Sequence, residues 1–176
     1  MGPIHWGILE RGTKTASGSH LLWPARIGTF SVVMGKLMGH PRTDGLPFSY
    51  LIGENGQTWL VPGHNIITVG LYRDIHKWPM RDMRSKDNRK SIIDFDWLSP
   101  LTIGEIIRGK KILENILKVN GDDVKEYHYH GMCIKASSLK NGLHYYDIAL
   151  RLFMGQMLQL AKDNSFEGKP AWQTGL

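Results

Sequence analysis

The sequence holds a single cysteine, Cys133, so no disulfide can close within it, and a reducing compartment is the expected setting. No window approaches the roughly 18 apolar residues of a membrane-spanning helix. The start, MGPIHWGILERG, lacks the charged n-region and long apolar core of a secretory leader. A cytoplasmic protein without a membrane partner is therefore expected. Neither GxxxxGK[ST] nor GxGxxG occurs, which leaves nucleotide hydrolysis and dinucleotide chemistry without sequence support, and no cofactor is assigned. Disorder is not expected either, because hydrophobic residues make up 41% of the chain and charged ones only 22%. At 176 residues the chain can bury a sizeable core.

What the sequence does contain is a repeat. Residues 9–38 divide into five six-residue blocks, LERGTK, TASGSH, LLWPAR, IGTFSV and VMGKLM. Their first positions are Leu9, Thr15, Leu21, Ile27 and Val33, aliphatic in four of five, and their fifth positions are Thr13, Ser19, Ala25, Ser31 and Leu37, small in four of five. An aliphatic residue followed four places later by a small one, at a period of six, suits short strands stacked coil upon coil with tight corners. An ordinary run of short strands and turns is the alternative, since Gly, Ser and Thr are frequent in any such segment.

The blocks resemble the hexapeptide-repeat, left-handed β-helix proteins, whose best-known members are acyl- and acetyltransferases. The stretches GTFSVVMGKLMGHPRTDGLPFSYL (28–51), VPGHNIITVGLYRDIHKWPMRDMR (61–84) and IDFDWLSPLTIGEIIRGKKIL (93–113) are similar, in that order, to the C-terminal part of a family of larger, functionally uncharacterised bacterial proteins. The fold the resemblance implies is a short left-handed parallel β-helix segment, an irregular β region and a C-terminal helical cap. The division expected is 1–38 for the end of the β-helix, 39–98 for an excursion loop, hairpin and basic segment, and 99–176 for a mainly helical region. Five blocks make fewer than two turns of three, and stacked repeats need several coils to bury a continuous core. The chain is accordingly expected to be a piece of a longer polypeptide or to rely on a partner.

In the hexapeptide acyltransferases a histidine takes a proton from the acceptor, which then attacks an acyl thioester. Imidazole suits that role because it titrates near neutrality. His40, in the Gly- and Pro-rich stretch GHPRTDGLPF (39–48), is the candidate, with His20 behind it, and Arg42 and Asp44 lie in the same loop. For either histidine, a surface or hydrogen-bonded structural role is the competing reading.

Charge supplies the second candidate region. The net charge is +6, and residues 73–90 carry Arg73, Lys77, Arg81, Arg84, Lys86, Arg89 and Lys90 against Asp74, Asp82 and Asp87. Arginine forks beside the flat face of Trp78 could bind a phosphorylated donor such as acyl-CoA or a sugar nucleotide. The competing reading is that Arg73-Asp74 and Arg81-Asp82 hold each other in local ion pairs. Nucleic acid is not expected as a partner, for no recognised binding motif accompanies the charge.

The remaining signals are structural. Residues 50–61 read as a hairpin around the Gly-Glu-Asn-Gly turn at 53–56, and residues 66–71 as a β-branched strand. Asn65 and His64 read as turn formers. Ser99-Pro100 and a capping box, Thr102-x-x-Glu105, start a helix that ends before Asn120-Gly121. Gly109 inside it marks a close contact. Residues 125–134 alternate as a strand. His128 and His130 on it supply only two metal ligands, short of the three or four a site requires, and no metal site is assigned. Leu139, Leu143, Tyr146, Leu150, Phe153, Met157 and Leu160 recur at 4-3-4-3-4-3 spacing, one continuous helical seam. Such a seam packs on its own chain or pairs with another subunit.

Two functions follow from these readings. One is an acyltransferase-like protein with His40 as base and Arg42, Asp44, Arg73, Lys77, Trp78, Arg81 and Arg84 around a phosphorylated ligand. The other is a non-catalytic module that assembles or regulates a larger enzyme. Self-association, as the trimer the resemblance implies, or attachment to the remainder of a larger polypeptide supplies the partner in either case.

Overall fold

The computed structural model describes residues 5–85, 88 and 96–163, and of Trp78 the backbone only. Lys86, Asp87, Arg89 and Lys90 of the basic run, the side chain of Trp78 and the tail from residue 164 therefore lie outside the described residues. The fold is mixed α/β. Strands β1 (Ile8–Leu9) and β3 (Arg26–Ile27) form a two-stranded sheet. Strands β2 (Lys14–Thr15), β4 (Val32–Gly35), β5 (Tyr50–Glu54), β6 (Gln57–Val61), β7 (Glu126–Tyr129) and β8 (Met132–Lys135) form the other, in the order β2-β4-β5-β6-β8-β7. Helices α1 (Val69–Arg81), α2 (Pro100–Asn120) and α3 (Ala136–Asp163) complete the described residues.

This corrects the expected left-handed β-helix segment with a helical cap. Strands β1 to β4 are only two to four residues long. The larger sheet is mixed, and it ends in two hairpins. The reasons are local. Gly12 and Gly18 take positive φ shortly after β1 and β2, and Gly35 does so at the end of β4, so these strands stop almost as they start. At Asn55-Gly56, with φ 50° and 76°, the chain reverses into an antiparallel pair instead of starting another parallel strand. The block pattern survives as register, since Lys14 pairs with Val32 and Val32 with Tyr50, each in parallel and eighteen residues on.

From Ala25 on, the aliphatic and small positions of the blocks are core positions, whereas Leu9 and Thr15 in the first blocks are exposed. Ala25, Ile27, Ser31, Val33 and Leu37 have no exposure, and Gly28 leaves no room for a side chain, because a Cβ there would meet the Thr43 carbonyl oxygen at 2.4 Å. Phe30 and Phe48 stack with ring centroids 5.2 Å apart, and both hold positive φ, 52° and 58°. Residues 41–49 stay with this core: Arg26 N–H donates to the Pro41 carbonyl, and Thr43, Leu46 and Phe48 are buried.

Three further expectations change. Residues 66–71 are not a strand but the end of a 3-10 turn (His64–Ile67) and the start of α1, whose Leu71 and Ile75 one turn apart face the core. Residues 125–134 hold two strands, because His130 and Gly131, at φ 47° and 75°, turn the chain between β7 and β8. Of the two helix-start signals, Ser99-Pro100 opens α2 as read, and the capping box falls inside the helix it was expected to start. The Ser99 hydroxyl accepts from Thr102 N–H, Pro100 follows, and Thr102 is buried inside the first turn. Its end at Gly121 and the hairpin at residues 50–61 are as the sequence reads.

Helices α2 and α3 pack together, and Gly109 marks the contact. A Cβ at Gly109 would stand 2.8 Å from the Gly45 carbonyl oxygen and 3.0 Å from the Tyr146 ring. Tyr146 is wholly buried and donates its hydroxyl to the Pro47 carbonyl at 2.8 Å. Lys110 of α2 reaches Asp147 of α3 at 2.6 Å.

Candidate functional site

Several of the residues expected to bind a phosphorylated ligand sit in local ion pairs. His40 is exposed, and its side chain makes no hydrogen bond or ion pair with a described residue; the same holds for His20. Arg42 is held by Asp44 at 3.4 Å, and Arg26 approaches the same carboxylate at 3.8 Å. The Tyr129 phenol is pushed up by burial and then by the Asp44 charge, with Arg42 opposing it. On α1, Arg73 lies 3.7 Å from Asp74, whose other oxygen takes Lys14. Beyond the helix, Arg84 grips Asp82 through two hydrogen bonds of 2.8 and 3.0 Å. Arg81 is exposed and Lys77 half-buried on the same helix. Of the two expected ion pairs, Arg73 with Asp74 is present, while Asp82 takes Arg84, and Arg42 has its own partner in Asp44.

His128 and Cys133 face each other at 3.6 Å across the β7–β8 hairpin, with His130 in the turn. No group of three or more metal-ligating side chains is present among the described residues. Among them, too, no helix is long and apolar enough to cross a membrane.

What the structure does assemble is a cleft of about 380 Å³ where the approach to α2 meets the second half of α3. Leu98 and Pro100 form one wall, Phe153, Met157 and Leu160 the other, and Asp96, Gln156 and Gln159 supply polar groups at the rim. The seam explains the second wall. Leu139 and Tyr146 are wholly buried, Leu143, Leu150 and Phe153 are half-buried, and Met157 and Leu160 are exposed. The same helical stripe thus starts in the core and runs out past the beginning of α2.

The first wall is fixed by Arg11. Its guanidinium donates to the Asp96 carbonyl at 2.8 Å, to the Thr102 hydroxyl at 3.0 Å and to the Ser99 hydroxyl at 3.4 Å, and it lies 5.0 Å from the Phe30 ring centre. One fork thereby ties the loop and the first turn of α2 to the stacked aromatic core. The Asp96 side chain accepts from Leu98 N–H at 3.1 Å, a local turn that sets the entry to the helix.

Beneath the same turn lies Glu105. Its Oε2 is buried without a hydrogen-bond partner among the described residues. Burial pushes the carboxyl above its ordinary range; the Thr29 hydroxyl opposes this, the neighbouring Glu10 adds to it, and Arg108 and Arg11 pull it back. Glu10 itself accepts from both the backbone N–H and the hydroxyl of Thr29, at 3.0 and 3.1 Å. Arg11 and Glu10 carried no sequence signal of this role. Glu105 did carry one, but as a capping residue.

The cleft offers no nucleophile with a base in reach, and its chemistry is that of an apolar docking surface with amide edges. A family described as a domain of unknown function, DUF4954, matches residues 1–117, which covers the sheets as far as β6 together with α1 and most of α2, and stops short of α3. No curated protein and no solved structure matches the chain. The match carries no link to the acyltransferase superfamily, but it spans well over half of the sequence: the chain belongs to the DUF4954 family.

Proposed function

We propose that this chain is a non-catalytic assembly module that pairs with a second copy of itself through the outer half of α3. The carrying observation is the change of exposure along one seam. Leu139 and Tyr146 are fully buried, whereas Met157 and Leu160, on the same seam, are 41 and 52% exposed. A stripe with 4-3 spacing is the pattern that pairs helices, and a two-fold contact lets one stripe serve both partners. Little charge opposes it, because Arg151 and Lys162 are the only charged residues from 150 to 162, and Gln156 and Gln159 at the cleft rim can bond to their counterparts.

The scale sets the strength. Residues 154–163 extend about 15 Å at 1.5 Å per residue. A strip of that length and about 10 Å wide covers on the order of 150 Å², well short of the roughly 800 Å² per partner of a standard interface, so the pairing is weak and depends on concentration. Acyl transfer gains no support from the placement of His40, and phosphate binding gains none from Arg42, Arg73 and Arg84, which already face carboxylates. Light scattering on the purified chain tests the proposal: the mass should rise from one chain towards two as concentration increases. A one-chain mass at every concentration would end it.

A further inference from the structure

We infer that α1 is a docking helix for an anionic lipid surface. Its outer face carries an apolar stripe that the body leaves uncovered: Val69 is 80%, Tyr72 64% and Met80 74% exposed, with Met83 just beyond the helix at 90%. Val69, Tyr72, His76 and Met80 are spaced 3-4-4, so they fall on one side of the helix, turned away from Leu71 and Ile75, which face the core. Tyr72 is set in place by His76, whose ring lies 4.1 Å away and whose Nδ1–H donates to the Tyr72 carbonyl at 2.8 Å.

A cationic edge runs along this stripe. Arg73, Lys77 and Arg81 follow one another at four-residue spacing. The only acidic residue within α1, Asp74, is shared between Arg73 and Lys14 on the body, so one carboxylate stands against four cations and the positive excess lies at Lys77 and Arg81. An apolar stripe bordered by Arg and Lys on a short helix is the pattern of a helix lying in the plane of a bilayer interface.

Two features select the occupant. A second copy is disfavoured, since it would bring two positive edges together in a chain of net charge +6. The stripe protrudes instead of lining a groove, so it suits a deformable surface better than a shaped acidic protein. The inference is independent of α3 and departs from the sequence expectation of no membrane partner, which rested on the want of a spanning segment.

Co-sedimentation of the whole chain with phosphatidylcholine vesicles, with and without phosphatidylserine, tests it. Binding is expected only to the anionic vesicles and should fall as salt is raised. Arg73→Glu with Lys77→Glu should weaken it by about tenfold or more, and Val69→Ser with Met80→Ser should weaken it without altering the salt dependence. Val69, Arg73 and Met80 are exposed and Lys77 is half-buried, and an unchanged circular dichroism spectrum verifies the fold. Leu152→Ser on α3 should leave vesicle binding as it was. Equal binding to neutral vesicles, failure of the wild-type chain to bind, or indifference to both double variants would overturn the inference. So would retention of polyglutamate in place of vesicles, which would assign the face to an acidic protein.

Discussion

Asn65 donates its side-chain amide to the carbonyl of Phe30 at 2.7 Å, thirty-five residues earlier in the chain, and both residues are buried. The Asn65 backbone N–H meanwhile donates to the carbonyl of Phe48 at 2.8 Å. One residue therefore satisfies the two stacked aromatics whose positive φ angles would otherwise leave carbonyls unpaired in the core. Thr68 closes the arrangement by donating its hydroxyl to Asn65 Oδ1 at 2.7 Å.

Asn65→Ala should cost about 2 to 3 kcal/mol, because it strands the Phe30 carbonyl in the core and abandons the Thr68 bond. Asn65→Asp should cost more at neutral pH, since an acceptor then faces an acceptor and a charge is buried. Urea denaturation of the two variants checks the order. Asp as stable as Ala would show that the Phe30 bond carries little.

The glycines of α2 separate two opposing effects. Gly104 has nothing within 4 Å of a built Cβ, so Gly104→Ala should gain about 0.5 to 1 kcal/mol of helix propensity. Gly109→Ala gains the same propensity but presses on the Gly45 carbonyl oxygen and the Tyr146 ring, and overpacking costs about 1 to 3 kcal/mol. The expected net is a loss, read as a lower melting temperature, where Gly104→Ala shows a rise. A rise in both would mean that α2 is not seated on Gly45 and Tyr146.

Glu105 predicts a pH dependence with a definite sign. Its folded-state carboxyl lies above the ordinary range, mainly through burial, so over that interval the folded chain binds more protons than the unfolded one. Stability from this group is greatest below the unfolded value and falls as pH rises through the folded one. Glu105→Gln keeps the shape and cannot ionise, so it should stabilise the chain at neutral pH and flatten the slope above the ordinary carboxylate range. Melting temperature against pH for the two proteins measures this, and parallel curves would contradict it.

Much of this architecture is legible in local sequence. Asn55-Gly56 dictates its hairpin, Ser99-Pro100 opens α2, and the spacing from Leu139 to Leu160 draws α3 whole. The β-helix expectation failed because a six-residue period constrains which side chains turn inward and which residues sit eighteen apart, while the partner of β5 was decided by a two-residue turn. Residues 66–71 misled for a related reason: β-branched residues favour a strand, yet the buried positions Leu71 and Ile75 recur at helical spacing. The candidate site was half visible. Met157 and Leu160 belong to a readable seam, but their exposure depends on where α2 begins in space. Arg11 reaches Asp96 and Thr102 across 85 and 91 residues, a span that no local pattern encodes.

The solution mass of the chain beside that of Met157→Glu with Leu160→Glu addresses the assembly reading most directly. Both positions are exposed in the single chain, so the variant should keep its fold and melting temperature. The account predicts that the wild-type mass climbs towards two chains as concentration rises while the variant stays at one. A wild-type chain that remains single, or a variant that associates as readily as the wild type, would contradict it.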